Sequence, residues 1–412
     1  MNKEKRKVPK LRFPNCNRLW KEYRLADLLV ERSVLCTQSE KYPLVSFTVE
    51  SGVTPKTERY DREALVVGNK ASKKYKMTLV DDIVYNPANL KFGAIARNKY
   101  GNAVFSPIYV TLEVQTNIVF PKFIEYILTS KCFINRALRY QQGTVYERQS
   151  VNVESLLLQT VNIPAKDEQI KISDLLYKFD QLLGLYQHKL EMLLLKKKAL
   201  LQKLFPRDGE RYPELRFPGF TDAWEQRKLS DISTKVTTKN VDVHYTETLT
   251  NSAEQGIISQ VDFFDKEISN KDNINGYYIV DNNDFIYNPR ISTLAPVGPI
   301  NRNKLNRTGI MSPLYTVFRS SNVDLSFLEW YFQSNHWHRY MKLNGDSGAR
   351  ADRIAIKDST FFEMPIKTPV NIKEQVLIGE TLEKFNQYIT LHQRKLDHLQ
   401  LQKKALLQQM FV

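Results

Sequence analysis

Residues 168–205 read EQIKISDLLYKFDQLLGLYQHKLEMLLLKKKALLQKLF, and residues 374–411 read EQVLIGETLEKFNQYITLHQRKLDHLQLQKKALLQQMF. The two stretches align without a gap at an offset of 206, and Lys197-Lys198-Ala199-Leu200-Leu201-Gln202 returns as Lys403-Lys404-Ala405-Leu406-Leu407-Gln408. The first holds no proline and one glycine, Gly184, among many Leu, Lys, Gln and Glu, so a long helix is expected. Its apolar residues fall in two interleaved sevens: Leu176, Leu183, Leu190 and Leu204, and Ile172, Phe179, Tyr186, Leu193 and Leu200. The second stretch gives Leu382, Ile389, Leu396 and Met410, and Ile378, Phe385, His392, Leu399 and Leu406. Each first series breaks once, at the matched Lys197 and Lys403.

Such heptad stripes are coiled-coil seams, and each needs a partner. Some 39 residues make a rod of roughly 58 Å, too long for the inside of one domain of this size. The chain supplies a near-identical partner, so the two helices are expected to pack on each other. A half-turn that exchanges both halves favours the antiparallel arrangement, with Lys197 and Lys403 towards opposite ends. The rival is a pair of ordinary amphipathic helices, each packed on its own globular segment. It explains the heptads less well, because helices in compact domains average about 11 to 12 residues.

The repetition extends outward. Pro9, Leu11, Arg12, Phe13, Pro14, Trp20, Leu25 and Asp27 recur 204 residues later as Pro213, Leu215, Arg216, Phe217, Pro218, Trp224, Leu229 and Asp231. Mid-repeat, Tyr85-Asn86-Pro87 returns as Tyr287-Asn288-Pro289. The expected fold is therefore α+β: two mixed α/β segments, 1–164 and 207–367, in pseudo-twofold arrangement and joined by helical segments 165–206 and 368–412. Strands are expected at 65–67, 82–85, 104–112, 277–280 and 313–318, and helices at 120–138 and 325–341. The ends of the segments match and their centres diverge, as a shared scaffold with two different reading surfaces would.

With 412 residues, 42% hydrophobic and 25% charged, the chain is an ordinary globular one of two or three domains. Its net charge of +15 makes a polyanion the first partner to consider. Cys16, Cys36 and Cys132 form no CxxC pair, so neither a disulfide framework nor a zinc cluster is read from them. No apolar run of 18 residues occurs, and a cytoplasmic protein with no membrane association is expected.

Catalytic motifs are missing. No Gly-x-Gly, Gly-Lys, Pro-Pro or Pro-Asp occurs, which removes the dinucleotide and methyl-donor fingerprint, the P-loop, the Asn-Pro-Pro-aromatic loop and the usual nuclease pattern. His336 and His338 are the one close histidine pair, and alternate positions diverge on a helix, so no metal site is expected. The expected catalytic residues are none.

Residues 1–206 carry 34 Lys and Arg against 20 acids, and residues 207–412 carry 26 against 25, so the halves stand at +14 and +1. Phosphate contact needs only a local patch, and Arg and Asn are the side chains that pair with guanine and adenine edges. The candidates for DNA contact are Asn69, Lys70, Lys73, Lys74, Asn86, Lys91, Arg97, Lys99 and Arg148 in the first half, with Asn89 among the interleaved asparagines. In the second they are Asn288, Arg290, Arg302, Lys304, Arg307, Arg350 and Arg353. Solvated loops are polar in any case, and that reading stands beside the functional one at each residue.

Two half-repeats sharing Leu-Arg-Phe-Pro…Trp, then Glu-Gln and a Lys-Lys-x-Leu-Leu-rich helix, resemble the specificity subunit of Type I restriction-modification systems over the whole chain. The resemblance implies two target recognition domains, each reading one half of a split double-stranded DNA sequence. It implies an antiparallel coiled coil that sets the spacer and docks two modification subunits. S-adenosylmethionine would belong to those subunits, ATP and Mg to a separate restriction (motor and nuclease) subunit, and this chain would be non-catalytic. The alternatives are a single-chain restriction enzyme, disfavoured by the missing motifs, and a coiled-coil scaffold that binds no DNA.

Overall fold

The computed structural model describes residues 8–56, 73–142, 149–264, 271–346 and 352–411. The strand expected at 65–67 lies outside these residues. Two compact units form, residues 1–185 with 396–412, and residues 186–395. The expected mixed helix-and-sheet architecture with two long helices is present.

Each unit is built on the same plan. The first residues after the Leu-Arg-Phe-Pro motif form a strand that pairs antiparallel with the last strand of the segment: Lys21–Arg24 with Thr160–Ile163, and Glu225–Lys228 with Pro365–Thr368. A four-stranded antiparallel sheet follows. In unit 1 its order is Leu29–Glu31, Val110–Val114, Ile83–Tyr85, Ile95–Arg97; in unit 2 it is Ser233–Lys235, Thr316–Ser320, Phe285–Tyr287, Ile300–Arg302. The buried triplets Ile83-Val84-Tyr85 and Phe285-Ile286-Tyr287 are apolar on both faces because further strands cover the outer face. In unit 1 that cover is the hairpin Val45–Thr48/Gly52–Pro55 and the sheet of Leu35–Thr37, Lys74–Thr78 and Ala103–Phe105. In unit 2 it is the hairpin Leu249–Ser252/Gly256–Ser259 and the pair Tyr278–Val280/Gly309–Met311.

Three expected elements are interrupted. The run from Val104 to Leu112 breaks into two strands around a turn at Ser106–Tyr109, where Pro107 has no N–H to give a ladder. The helix expected over 120–138 divides into Pro121–Leu128 and Lys131–Ala137, because the Ser130 hydroxyl caps a new helix by accepting the Phe133 N–H. The helix over 325–341 likewise divides into Leu325–Gln333 and His338–Asn344.

The two long helices are Lys166–Lys203 and Ile372–Met410. Each begins in its own half and ends in the other unit. In unit 1, Ile172 and Leu176 of the first helix share a core with Met410, and the Asp180 carboxylate accepts a hydrogen bond from Lys403. In unit 2, Tyr186 packs on His392 at 5.9 Å and Lys197 donates to Asn386 at 2.7 Å. As one helix advances the other recedes, so the pair is antiparallel in both units. All the seam residues named above are buried or half-buried: Ile172, Leu176, Phe179, Leu183, Tyr186, Leu190, Leu193 and Leu200 on one helix, and Ile378, Leu382, Phe385, Ile389, Leu396, Leu399 and Leu406 on the other. Independent packing of each helix on its own segment is excluded.

The repeated motifs now have physical reasons. Arg12 donates two hydrogen bonds, at 2.9 and 2.6 Å, to the buried Glu168 at the start of the first long helix; Arg216 does the same to Glu374 at 2.8 and 2.9 Å. Gln169 uses its amide as a staple, accepting the Phe120 N–H and donating to the Ile118 and Pro164 carbonyls. Gln375 accepts the Asp324 N–H and donates to the Pro369 carbonyl. Trp20 and Trp224, both buried, receive the last aromatic ring of the opposite helix edge-on, Phe411 at 6.4 Å and Phe205 at 6.2 Å. The recurring sequence is a clamp that ties the beginning of each unit to both helices.

Candidate nucleic-acid interface

Asn69, Lys70, Arg148 and Arg350 lie outside the described residues. The others separate into side chains that hold the fold together and side chains that face outward.

Arg97 is buried between Asp81 and Glu125, donating to the latter at 3.0 Å, and Lys99 reaches the same Glu125 at 2.7 Å. Unit 2 repeats this arrangement, with Arg302 and Lys304 on Glu329 at 2.7 and 3.3 Å and Lys304 also on Glu383. Arg307 forks onto Glu247 with two bonds of 2.7 Å. All five cations are matched by carboxylates; Glu125 and Glu329, which hold Arg97, Lys99, Arg302 and Lys304, lie on helices, and Glu247, which holds Arg307, lies beside a strand. Asn86 and Asn288 are turn-formers. Asn86 is buried and its side-chain oxygen accepts the N–H groups of Ala88 and Asn89; the Asn288 oxygen accepts the Arg290 N–H while its amide donates to the Asn251 carbonyl. Both side chains are thus engaged within their own turns.

Facing outward are Lys73 and Lys74, at the start of a strand and exposed, with Lys73 over the Tyr75 ring at 5.4 Å. Lys91 lies 5.2 Å from the Phe92 ring. In unit 2 the turn after Asn288 pairs with the segment after Arg350: Ile291 donates to the Asp352 carbonyl, Ile354 to the Pro289 carbonyl, and Arg290 stands opposite Arg353 in an antiparallel bridge. Both arginines are exposed, and neither guanidinium has an ion-pair or hydrogen-bond partner among the described residues. Bridge partners sit about 4.5–5.5 Å apart at Cα with side chains on one face, and like charges so placed destabilise a bridge. An anion between them removes the cost.

Three further features escaped the sequence reading. One is a cavity of about 370 Å³ in unit 1, lined by Phe47, Val49, Asn86, Asn89, Phe92, Ala94 and Tyr109. A second is a set of exposed apolar residues off the heptad seam. In unit 1 these are Leu182, Leu185 and Leu401; in unit 2 they are Met192, Leu194, Leu195, Tyr388 and Leu391. Their signal was present, since Leu185 and Leu195 recur as Leu391 and Leu401 at the helix offset. The third is the setting of the seam-breaking lysines. Lys403, paired with Asp180, lies 5.8 Å from the Tyr126 ring, and Lys197, paired with the neutral Asn386, lies 4.9 Å from the Trp330 ring. Burial lowers the Lys197 pKa below the ordinary lysine value, with Glu383 pulling it partly back.

Among the described residues no group of three or more His, Cys, Asp or Glu is placed to hold a metal, and no helix is long and apolar enough to cross a membrane. Burial pushes His338 down to about 4 and lowers His336, and both are half-buried in unit 2.

No family model matches the chain, and no curated protein matches it. Solved structures do. The S subunit of a Type I restriction-modification system from M. genitalium superposes with a TM-score of 0.60 at 15% identity, over 98% of this chain and 99% of that one. A chain of a type I R-M system, solved for its complex assembly and conformational transition, superposes with a TM-score of 0.51 at 16% identity, over 97% and 98%. From end to end, this chain has the fold of a Type I restriction-modification S subunit.

Proposed function

We propose that the chain is the DNA sequence-recognition subunit of a Type I restriction-modification complex. Each unit reads one half of a bipartite duplex target, and the antiparallel helices set the gap between the halves. The observation that carries this is the doubling itself: clamps, sheet order and helix seam repeat, while the outward side chains of the two sheets do not. A protein that needed one surface twice would have kept both alike. The shared fold with the M. genitalium S subunit supports the reading.

The exposed apolar residues off the seam are the docking surface for two modification subunits, since apolar side chains left bare on long helices suit an apolar partner surface. The neighbour solved for its complex assembly supports a multisubunit setting. In this reading the chain is non-catalytic. S-adenosylmethionine acts in the modification subunits, and ATP and Mg act in the restriction subunits.

Binding to duplex DNA measured against salt tests the reading. A reader of phosphates loses affinity steeply, with log K falling about 0.9 per contact for each decade of salt. Arg290→Ala with Arg353→Ala is expected to weaken binding to all sequences and to flatten the slope by about 1 to 2. An absence of duplex binding at low salt would leave the scaffold that binds only protein. Inserting one heptad into both long helices is expected to lengthen the gap tolerated between half-sites.

A further inference from the structure

The cavity of about 370 Å³ in unit 1 opens beside the sheet that carries Ile83–Tyr85. Its floor is aromatic, with Phe47 and Tyr109 at 5.9 Å and Tyr109 resting on Phe105 at 5.0 Å. Its rim is apolar and unusually bare, Val49 at 52% and Phe92 at 65% exposure. The short helix Leu90–Phe92 ends at Gly93, whose φ of +86° turns the chain sharply and leaves Phe92 at the surface. At the same mouth lies the exposed Asn89. Its backbone N–H is taken by Asn86, and its side-chain amide has no hydrogen-bond partner among the described residues.

Unit 2 closes the equivalent place with polar side chains. The two covering hairpins rest on matching strand positions: a Cβ on Gly52 would meet Ala96 at 3.1 Å, and one on Gly256 would meet Asn301 at 4.0 Å. Where unit 1 has Phe47 and Ala96, unit 2 has Asn251 and Asn301. Asn301 donates to the Asn251 side chain at 2.7 Å, and Asn251 donates to the Ile286 and Pro299 carbonyls. Those amides are spent on each other and on the backbone.

An isolated exposed phenylalanine needs no explanation. Here an unpartnered amide, able to donate and accept side by side, stands next to an apolar mouth on a surface with a cation over Phe92. In the major groove, an A·T pair presents both complements at once: the N7 acceptor and N6 donor of adenine, which an asparagine grips with two bonds, and the thymine methyl, which takes apolar contact. A G·C pair has no methyl. Resting on the DNA-reading function proposed above, we infer that this cavity is a base-pair-reading site for A·T, with Asn89 on the adenine and Phe92 and Val49 around the thymine methyl.

The test selects duplexes bound by the full chain from a random pool, then replaces each selected thymine with deoxyuridine. One A·T position in one block is expected to lose about fourfold in affinity, the worth of a buried methyl. Phe92→Ala abolishes that fourfold difference while leaving the other block of the motif unchanged. Asn89→Ala does the same for 7-deazaadenine at the paired position. Both residues are exposed, and the untouched block reports that the variants fold. The site is overturned if steep, sequence-selective binding persists with no uridine-sensitive position, or if the sensitivity survives Phe92→Ala. If the full chain binds no duplex at low salt, the DNA-reading function itself fails, and this site with it.

Discussion

The hairpin Val45–Thr48/Gly52–Pro55 and the hairpin Leu249–Ser252/Gly256–Ser259 have the same register and the same left-handed glycine at the turn, φ +65° and +71°. Beneath one lies an aromatic-lined hollow, and beneath the other an asparagine network. A few side chains separate them, Phe47 from Asn251 and Ala96 from Asn301, and the backbone is unaffected. Beside the hollow stands Ala88, where unit 2 has Arg290. The repeat therefore keeps the clamps, the sheet order and the helix seam, and varies side chains between hairpin and sheet and on the outer surface. Under the proposed reading of two different half-sites, the outer surface is where change is cheapest, because an exposed substitution on a fixed backbone costs little stability.

The comparison is most sharply broken at the aromatic plugs. Phe205 is buried among Trp224, Phe327 and Tyr331, while Phe411 is only half-buried against Trp20 and Phe123. Phe205→Ala is expected to destabilise unit 2 by about 3–5 kcal/mol and Phe411→Ala to destabilise unit 1 by less, read as separate transitions in calorimetry. Next come the clamps. Arg12→Ala strands the buried Glu168, and Arg216→Ala leaves the buried Glu374 with the Trp224 indole N–H at 3.4 Å; each is expected to cost about 3–5 kcal/mol in the unit concerned. Equal losses from the two variants would confirm that the clamp is the shared part.

Smaller and opposite in sign are the seam lysines. Lys197→Met replaces a half-buried cation whose partner is the neutral Asn386, so denaturant unfolding of unit 2 is expected to shift up by about 1 kcal/mol. Lys403→Met removes the partner of Asp180 and is expected to lower unit 1 by about 1 kcal/mol. The same sign for both would mean that the two settings are energetically alike. A further probe is acid. His338, held neutral down to about 4, protonates in the unfolded chain near 6.5, so the unfolded state binds more protons between those values. Unit 2 is expected to lose stability as pH falls from about 6.5 to 4 and then to level off, and His338→Phe should make that slope shallower, the lowered His336 keeping the remainder.

Much of this fold was legible because a duplication prints its architecture twice. The heptads gave the helices, their breaks at Lys197 and Lys403 gave matched positions, and the recurring Trp and Glu-Gln marked the scaffold before any contact was known. The interface was harder to read, because a side chain's availability depends on partners far away in sequence. Arg97 meets Glu125 across 28 positions and Arg12 meets Glu168 across 156, and nothing local announces either pairing. Asn86, one of the candidate base contacts, forms a turn with its side chain, while Phe92, which the sequence reading does not single out, stands at the mouth of a cavity. Composition finds cations, but only packing shows which of them are already paired.

One measurement bears on the whole account: mapping methylated positions in the DNA of cells that carry the modification subunits, with and without this chain. The account predicts a motif of two short blocks separated by an unread gap, present only when the chain is expressed. A single uninterrupted block, or a methylation pattern that persists when the chain is removed, would contradict it.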